Sequence, residues 1–349
     1  MMATVYEKMR ATRYPVWIWG AGSMAQAVAD RLQAHGIATA GYFVDVEDFR
    51  DETGGRKVLS LRALEQQGQD ISVVVGHGHP EKAEQILQNP IVKQVFVIDH
   101  PYPQYVPRKE NLAKIETCVS TPAFLDAMYD EASLRCLHHW LDFHKGLLKE
   151  EFYRGARPLL DNLFGFAPLK ISEHERYVDA GAWDGDTVKE FLSATQGKVE
   201  KVFAFEPGDD GYQRLSSTFA GDERVACYQY ALGSASGYAS VAKGGGTQSM
   251  HLAMDGNSGS IPVVSLDEVL LDREPTIIKV SVPFLFCDVL KGASRLMETL
   301  RPRFIVNIIW DDGSSFIPAV QRFLQAGQGY RIAFRYRLAM PTQLWLYAF

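Results

Sequence analysis

Tyr177-Val-Asp-Ala-Gly181-Ala-Trp-Asp-Gly185-Asp-Thr187, answered by Phe203-Ala-Phe-Glu206-Pro207, is the stretch that decides the reading of this chain. An apolar run ends in Asp179, a turn bearing Gly181 and Gly185 follows, and a helical pattern occupies Thr187 to Ala194. A second apolar run then ends in Glu206. Strand, glycine turn, helix and strand with a terminal acid make a nucleoside-binding unit. The glycines let backbone N–H groups approach a ligand, and the acid accepts hydrogen bonds from ribose hydroxyls. The Gly-x-Gly-x-x-Gly spacing of a dinucleotide site is absent here. The spacing Asp-x-Gly-x-x-x-Gly suits S-adenosylmethionine (SAM), which carries a ribose and an amino-acid tail but no pyrophosphate. The predicted cofactor contacts are Asp179, Gly181, Trp183, Gly185, Thr187 and Glu206, with Asp184 a helix-capping residue.

Outward from this unit, the predicted strands are 176–180, 201–205, 225–230, 277–282, 304–309, 330–335 and 344–349. The last two read as a closing antiparallel hairpin. Residues 233–259, rich in Gly and Ser, read as a hairpin and loop over the site. A second α/β unit precedes it. Pro15-Val-Trp-Ile-Trp-Gly20-Ala-Gly22-Ser-Met-Ala25 reads as a strand running into a glycine turn and a helix stopped by Gly36. The next apolar run ends in Asp45, 23 residues past Gly22, close to the offset of about 20 that a ribose acid takes. Residues 71–75 and 95–98 are predicted strands with a helix over 80–88 between them. Gly20, Gly22 and Asp45 are therefore a candidate nucleotide site, against the alternative that the tight turn serves helix–strand packing alone. The fold class is α/β with two Rossmann-like domains: residues 1–107, a mostly helical connector 108–165, and residues 166–349.

Composition narrows the function classes. The 349 residues are 46% apolar and 22% charged, ordinary for a globular protein. A formal net charge of −6 without a long basic run excludes a general nucleic-acid surface. No apolar run approaches the roughly 20 residues of a membrane helix. Cys118, Cys136, Cys227 and Cys287 are widely spaced, so neither a zinc site nor a disulfide framework is indicated, and a reduced, cytoplasmic setting is the expectation. His77-Gly-His79 and the trio His138, His139 and His144 lack metal-site spacing. No catalytic set supports an oxidoreductase in the first half, where the Tyr-x-x-x-Lys spacing of Tyr105 to Lys109 falls in the proline-bearing break.

Several motifs in order resemble the FkbM family of SAM-dependent methyltransferases, over about residues 128–349. They are Asp130-Glu-Ala-Ser133, Val178 to Thr187, Phe203 to Pro207, Val263-Val-Ser-Leu-Asp267, Leu290-Lys-Gly-Ala293, Arg301-Pro-Arg-Phe-Ile305 and the ending from Tyr330 to Ala348. The resemblance implies a seven-stranded SAM-methyltransferase fold with the last strand antiparallel. It also implies O-methylation of a hydroxyl on a sugar or secondary-metabolite scaffold. The first half resembles the small nucleotide-binding-type domain fused to some of these proteins and to certain sugar acyltransferases.

One departure stands out. The family's fourth strand ends in Lys-x-Asp-x-Glu-Gly-x-Glu, whereas this chain has Lys279-Val-Ser-Val-Pro-Phe-Leu-Phe286. Ser281 replaces the Asp, Pro283 and Phe286 replace the Glu residues, and Phe284 replaces the Gly. Ser281 stays a cofactor-pocket candidate but cannot act unaided as a base. Three readings remain open: a non-catalytic site acting as a ligand-binding or protein-interaction module; another base among Asp288, Asp311 and Asp312; or an amine or thiolate acceptor that needs none. The expected partners are a small-molecule or glycan acceptor, with room for a homo-oligomer and no nucleic acid or membrane.

Overall fold

The computed structural model describes residues 3–45, 58–77, 83–98, 106–147, 159–160, 162–241, 252–256, 260–308, 312–326, 329–337 and 344–349. The chain divides into two compact units. One comprises Met1–Lys109, Arg135–Leu159 and Leu338–Thr342; the other comprises Glu110–Leu134, Leu160–Arg337 and Gln343–Phe349.

The first unit holds a five-stranded, all-parallel sheet. Its strands are β1 (Val16–Trp19), β2 (Gly41–Val44), β3 (Val58–Ser60), β4 (Ile71–Val75) and β5 (Val92–Phe96), in the order β3-β2-β1-β4-β5. β4, Ile-Ser-Val-Val-Val, is buried at every position, as a central parallel strand covered on both faces must be. Val16 and Ile18 pack with Ala25, Val28 and Leu32 of the helix Ser23–Ala34, one apolar stripe against one sheet face. Sequence reasoning missed β3, whose three residues are too few to show a period. It placed β5 three residues late, because Lys93 and Gln94 interrupt the apolar run.

The second unit is built on a larger sheet, with β6 (Leu159–Leu160), β7 (Arg176–Ala180), β8 (Lys201–Phe205) and β9 (Val225–Tyr228) as its earlier strands. A separate four-stranded sheet joins β10 (Ala231–Leu232), β11 (Gly237–Val241), β12 (Leu252–Gly256) and β13 (Ile261–Val264) in the order β10-β13-β11-β12. The large sheet is completed by β14 (Ile277–Val280), β15 (Arg303–Asn307), β16 (Ile332–Arg337) and β17 (Leu344–Ala348). Its order is β6-β16-β17-β15-β14-β7-β8-β9. The seven strands from β16 to β9 include each one expected from sequence, and β6 adds a two-residue edge. β17 inserts between β15 and β16 and runs antiparallel to both, so the terminal pair is antiparallel as expected. Its insertion could not be read from the hairpin pattern. The Gly/Ser-rich stretch does contain a hairpin, β11–β12, but it belongs to a sheet of its own.

Several resemblance motifs prove to be joints of this fold. Asp130 accepts from the Ser133 backbone N–H at the start of the helix Glu131–His144 and holds the Arg335 guanidinium on β16 at 2.6 Å. Ser265 and Glu268 form a capping box, and Asp267 accepts from the Arg295 and Leu296 N–H groups at 2.9 Å each. Gly292 passes so close to the Gly233 carbonyl that a Cβ there would sit 2.1 Å from its oxygen.

Candidate functional site

The C-terminal ends of β7, β8, β14 and β15 form the candidate site, at the end of a parallel sheet where open α/β folds bind ligands. β7 ends at Ala180, and the chain turns through Gly181 and Gly185, both at φ +84°. Added side chains at these two positions would collide. A Cβ on Gly181 would lie 2.5 Å from the Ser281 carbonyl oxygen, and one on Gly185 would lie 2.4 Å from Phe219 Cε2. The Gly181 and Ala182 N–H groups both donate to the Phe205 carbonyl, at 3.1 and 3.0 Å, tying the turn to the end of β8. Gly185 is the N-cap of the helix Asp186–Ala194, and no side chain caps that end. Asp184 accepts from the Asp186 N–H at 3.3 Å, beside the cap rather than at it.

Glu206 follows β8 directly. Its Oε2 accepts from the Trp183 N–H at 2.9 Å, and its Oε1 accepts from the Gly208 N–H at 2.8 Å. Burial pushes its pKa above the usual 4.5, against the two backbone N–H groups and Lys279, which favour the anion. A carboxylate offers about four lone-pair sites, so two remain after these bonds. Trp183 sits at φ +49°, a left-handed conformation for a bulky residue. Its ring faces the Arg214 guanidinium at 5.6 Å and lies close over Gly211, where a Cβ would come within 3.1 Å of Cε3.

Beneath the turn lies a buried polar knot. Asp179 is fully buried; its Oδ1 accepts from Lys279 Nζ at 2.7 Å, and its Oδ2 accepts from the hydroxyls of Tyr177 at 3.0 Å and Thr187 at 2.5 Å. Lys279 also donates to the Gly181 carbonyl at 2.8 Å. The Tyr177 hydroxyl, buried and beside this anion, is held well above its ordinary pKa of 10. Asp179 and Thr187 thus spend their side chains holding the turn, while Glu206 keeps unspent acceptor capacity.

No family model matches the sequence, and no curated protein matches it. Among solved structures, methyltransferase FkbM from Methylobacillus flagellatus KT superimposes with a TM-score of 0.69 at 18% identity, covering 100% of this chain and 94% of that one. This chain has the FkbM methyltransferase fold. A fibrillarin/Nop5p complex (TM-score 0.33, 10% identity, covering 51% of this chain and 74% of that one) overlaps too loosely to bear on it. So does an rRNA methylase from Streptococcus thermophilus (0.31, 14%, 51% and 87%).

Within that fold, the substituted segment follows β14. The Ser281 N–H donates to the Ala180 carbonyl at 3.0 Å, and Ser281 Oγ lies 3.4 Å from Asn307 Nδ2. Phe284, where the family has Gly, keeps a left-handed backbone at φ +62°. The turn therefore retains the conformation that suits glycine while carrying an aromatic ring. Of the three candidate bases, Asp288 is partly exposed and paired with Lys291 at 2.8 Å. Asp312 accepts from the Ser314 N–H through Oδ1 and from Asn111 through its backbone carbonyl. Asp311 lies outside the described residues.

In the first unit, Gly20 takes φ +123°, and a Cβ there would lie 2.8 Å from the Gly76 carbonyl oxygen. This close packing of β1 against β4 accounts for that glycine by itself. Gly22 is different: it is the N-cap of the helix Ser23–Ala34, no side chain caps that end, and space around it is open. Asp45 is exposed just after β2. His77 is described and stands edge-on to Trp19 at 4.4 Å, whereas His79 falls outside the described residues. Sequence reasoning passed over Asn307 and Trp345 on β15 and β17. The signal was there for Asn307: a lone amide closing the apolar run Phe304-Ile-Val.

Proposed function

We propose that the second unit binds SAM and transfers its methyl group, with a hydroxyl of a sugar or secondary-metabolite scaffold as the acceptor. The observation that carries this reading is Glu206. It is a carboxylate at the end of the second strand, fixed by two backbone N–H groups, with acceptor capacity left for a pair of ribose hydroxyls. The glycine turn fits the same ligand. Gly181 and Gly185, both at φ +84°, turn the chain around the strand end beside Glu206. Trp183 offers an aromatic face beside Glu206. Bound there, SAM would supply an electrophilic methyl on a sulfonium centre. The protein's part is to orient the acceptor oxygen in line with that methyl and to receive its proton. Ser281 can orient through a hydrogen bond. Receiving the proton falls to a carboxylate, and Asp288, Asp311 and Asp312 are the candidates.

Calorimetric titration with SAM and S-adenosylhomocysteine tests the reading. Micromolar binding that weakens at least tenfold in Glu206→Ala is expected, since a hydrogen bond to a charged group is worth about 1.5–3 kcal/mol. Absence of binding to both ligands would refute it.

The loss of all three acids from Lys279 to Phe286 supports a second reading, a methyltransferase fold that binds a ligand or another protein without transferring a methyl group. Ser281→Asp separates the two. Transfer gained only in that variant favours the second reading, and transfer by the unaltered protein removes it. The first unit is read as a nucleotide-binding domain using Gly22 and Asp45 with the Gly20 turn, in a cytoplasmic protein. Titration with ADP and NAD, and with Asp45→Ala, tests the nucleotide site.

A further inference from the structure

In-register positions cross the mouth of the large sheet in one row. Gly181 follows β7, Ser281 follows β14, Asn307 ends β15, and Trp345 stands directly opposite Asn307 on β17. In-register residues on neighbouring strands project from the same face. Here it is the face that buries Tyr177, Ile277, Ile305 and Tyr347 farther down the sheet. Asn307 and Trp345 are each only 3% exposed. Asn307 Nδ2 reaches Ser281 Oγ at 3.4 Å, but its Oδ1 has no partner among the described residues, and neither does Trp345 Nε1. With its nitrogen turned to Ser281, the amide leaves its oxygen over, on the strand directly opposite Trp345, whose indole N–H has no partner among the described residues.

Two such atoms buried without partners are each destabilising unless a ligand atom satisfies them. Directly opposed residues in an antiparallel pair have Cβ atoms about 4.5–5.5 Å apart, so one small polar group can serve both side chains. The row opens at Ser281, which is partly exposed. It also runs away from Glu206. β8 and β15 are three strand spacings apart, roughly 14 Å at about 4.7–4.9 Å each, with Ser281, just past β14, between them.

We propose that Asn307 and Trp345 hold the methyl acceptor by a neutral group that both donates and accepts a hydrogen bond, a hydroxyl or a carboxamide. This rests on the reading that the cofactor is anchored at Glu206. The indole N–H requires an acceptor atom and the amide oxygen requires a donor. A carboxylate fails the second and an ammonium fails the first. The described cations flanking the pair, Lys279 and the Arg335 that stands opposite Trp345 on β16, are already paired with Asp179 and Asp130, so neither is free to compensate a buried ion at this place.

The test uses the full-length protein labelled with ¹⁵N at the tryptophan indoles, the Trp345 signal being assigned by its loss in Trp345→Phe. Glycerol and acetamide are the neutral probes; acetate and methylammonium are the charged controls. The neutral probes are expected to shift the Trp345 indole signal saturably, and Asn307→Leu to weaken that titration at least fivefold. Asn307→Asp, closer in shape, is expected to transfer the preference from acetamide to methylammonium. The proposal is overturned if no probe moves the Trp345 signal, if charged and neutral probes move it alike, or if both Asn307 variants titrate as the unaltered protein does. S-adenosylhomocysteine affinity is measured separately on the unaltered protein. Failure there with the indole titration intact would remove the cofactor reading and leave a polar ligand site at Asn307.

Discussion

Glu206 shows how one residue can be both structural and functional. Its two backbone bonds orient the carboxylate without exhausting it, and its burial raises its affinity for a proton. The sign of the consequence follows. The anion is the better acceptor for ribose hydroxyls, and a pKa raised above 4.5 means that the anion is lost earlier on acidification. SAM affinity, followed by calorimetry from pH 8 downward, should therefore fall through a midpoint above 4.5. Glu206→Gln should bind more weakly at pH 8 and show no such midpoint; an unaltered profile in that variant would remove Glu206 from the site. Gly181 works by absence. At φ +84°, with the Ser281 carbonyl 2.5 Å from any added Cβ, Gly181→Ala forces one strand end away from its neighbour. A loss of about 1–3 kcal/mol is expected in urea unfolding, with SAM affinity lowered as well.

At the scale of elements, the Asp179–Lys279 pair locks the turn after β7 to the fourth parallel strand of the methyltransferase sheet, β14. Lys279 spans both layers of that joint by binding the Asp179 carboxylate and the Gly181 carbonyl. Breaking a buried pair from one side leaves an uncompensated charge, so Lys279→Met should lose about 3–5 kcal/mol in denaturant unfolding. Adding Asp179→Leu to it should recover part of that loss. If the double variant is as damaged as the sum of the single changes, the two residues are not acting as a pair. β14 also shows why the lost acids leave the fold intact. Ser281, Pro283 and Phe286 lie beyond the strand, and none of its ladder bonds or core contacts requires a carboxylate.

At the scale of the molecule, both units are assembled from separated stretches of chain. Residues 135–159 belong with the first unit, and residues 110–134 with the second. Within the first unit, the Val5 N–H donates to the Gly146 carbonyl at 2.8 Å, and Leu137, Trp140 and Leu141 are buried. A fragment ending at residue 107 lacks these residues and is expected to unfold at a lower temperature than one in which 135–147 is rejoined through a flexible linker. Circular dichroism melts of the two fragments provide the check, and equal melting temperatures would contradict it.

The chain's own letters carried the two strand–glycine–helix units, the acid at the end of β8 and the alternation that makes a parallel α/β sheet. Each of these rests on local chemistry: φ available only to glycine, apolar runs bounded by turns, and a carboxylate at a strand end. Tertiary structure decided what register and burial control. It turned Asp179 inward on Lys279 and Thr187 onto Asp179, although their spacing reads equally well as ligand contact. It paired Asp288 with Lys291, slid β17 between β15 and β16, and brought Asn307 opposite Trp345 across 38 residues of sequence. A side chain's partner in space is fixed by which strands become neighbours, and that choice is made by the whole sheet rather than by any stretch within it.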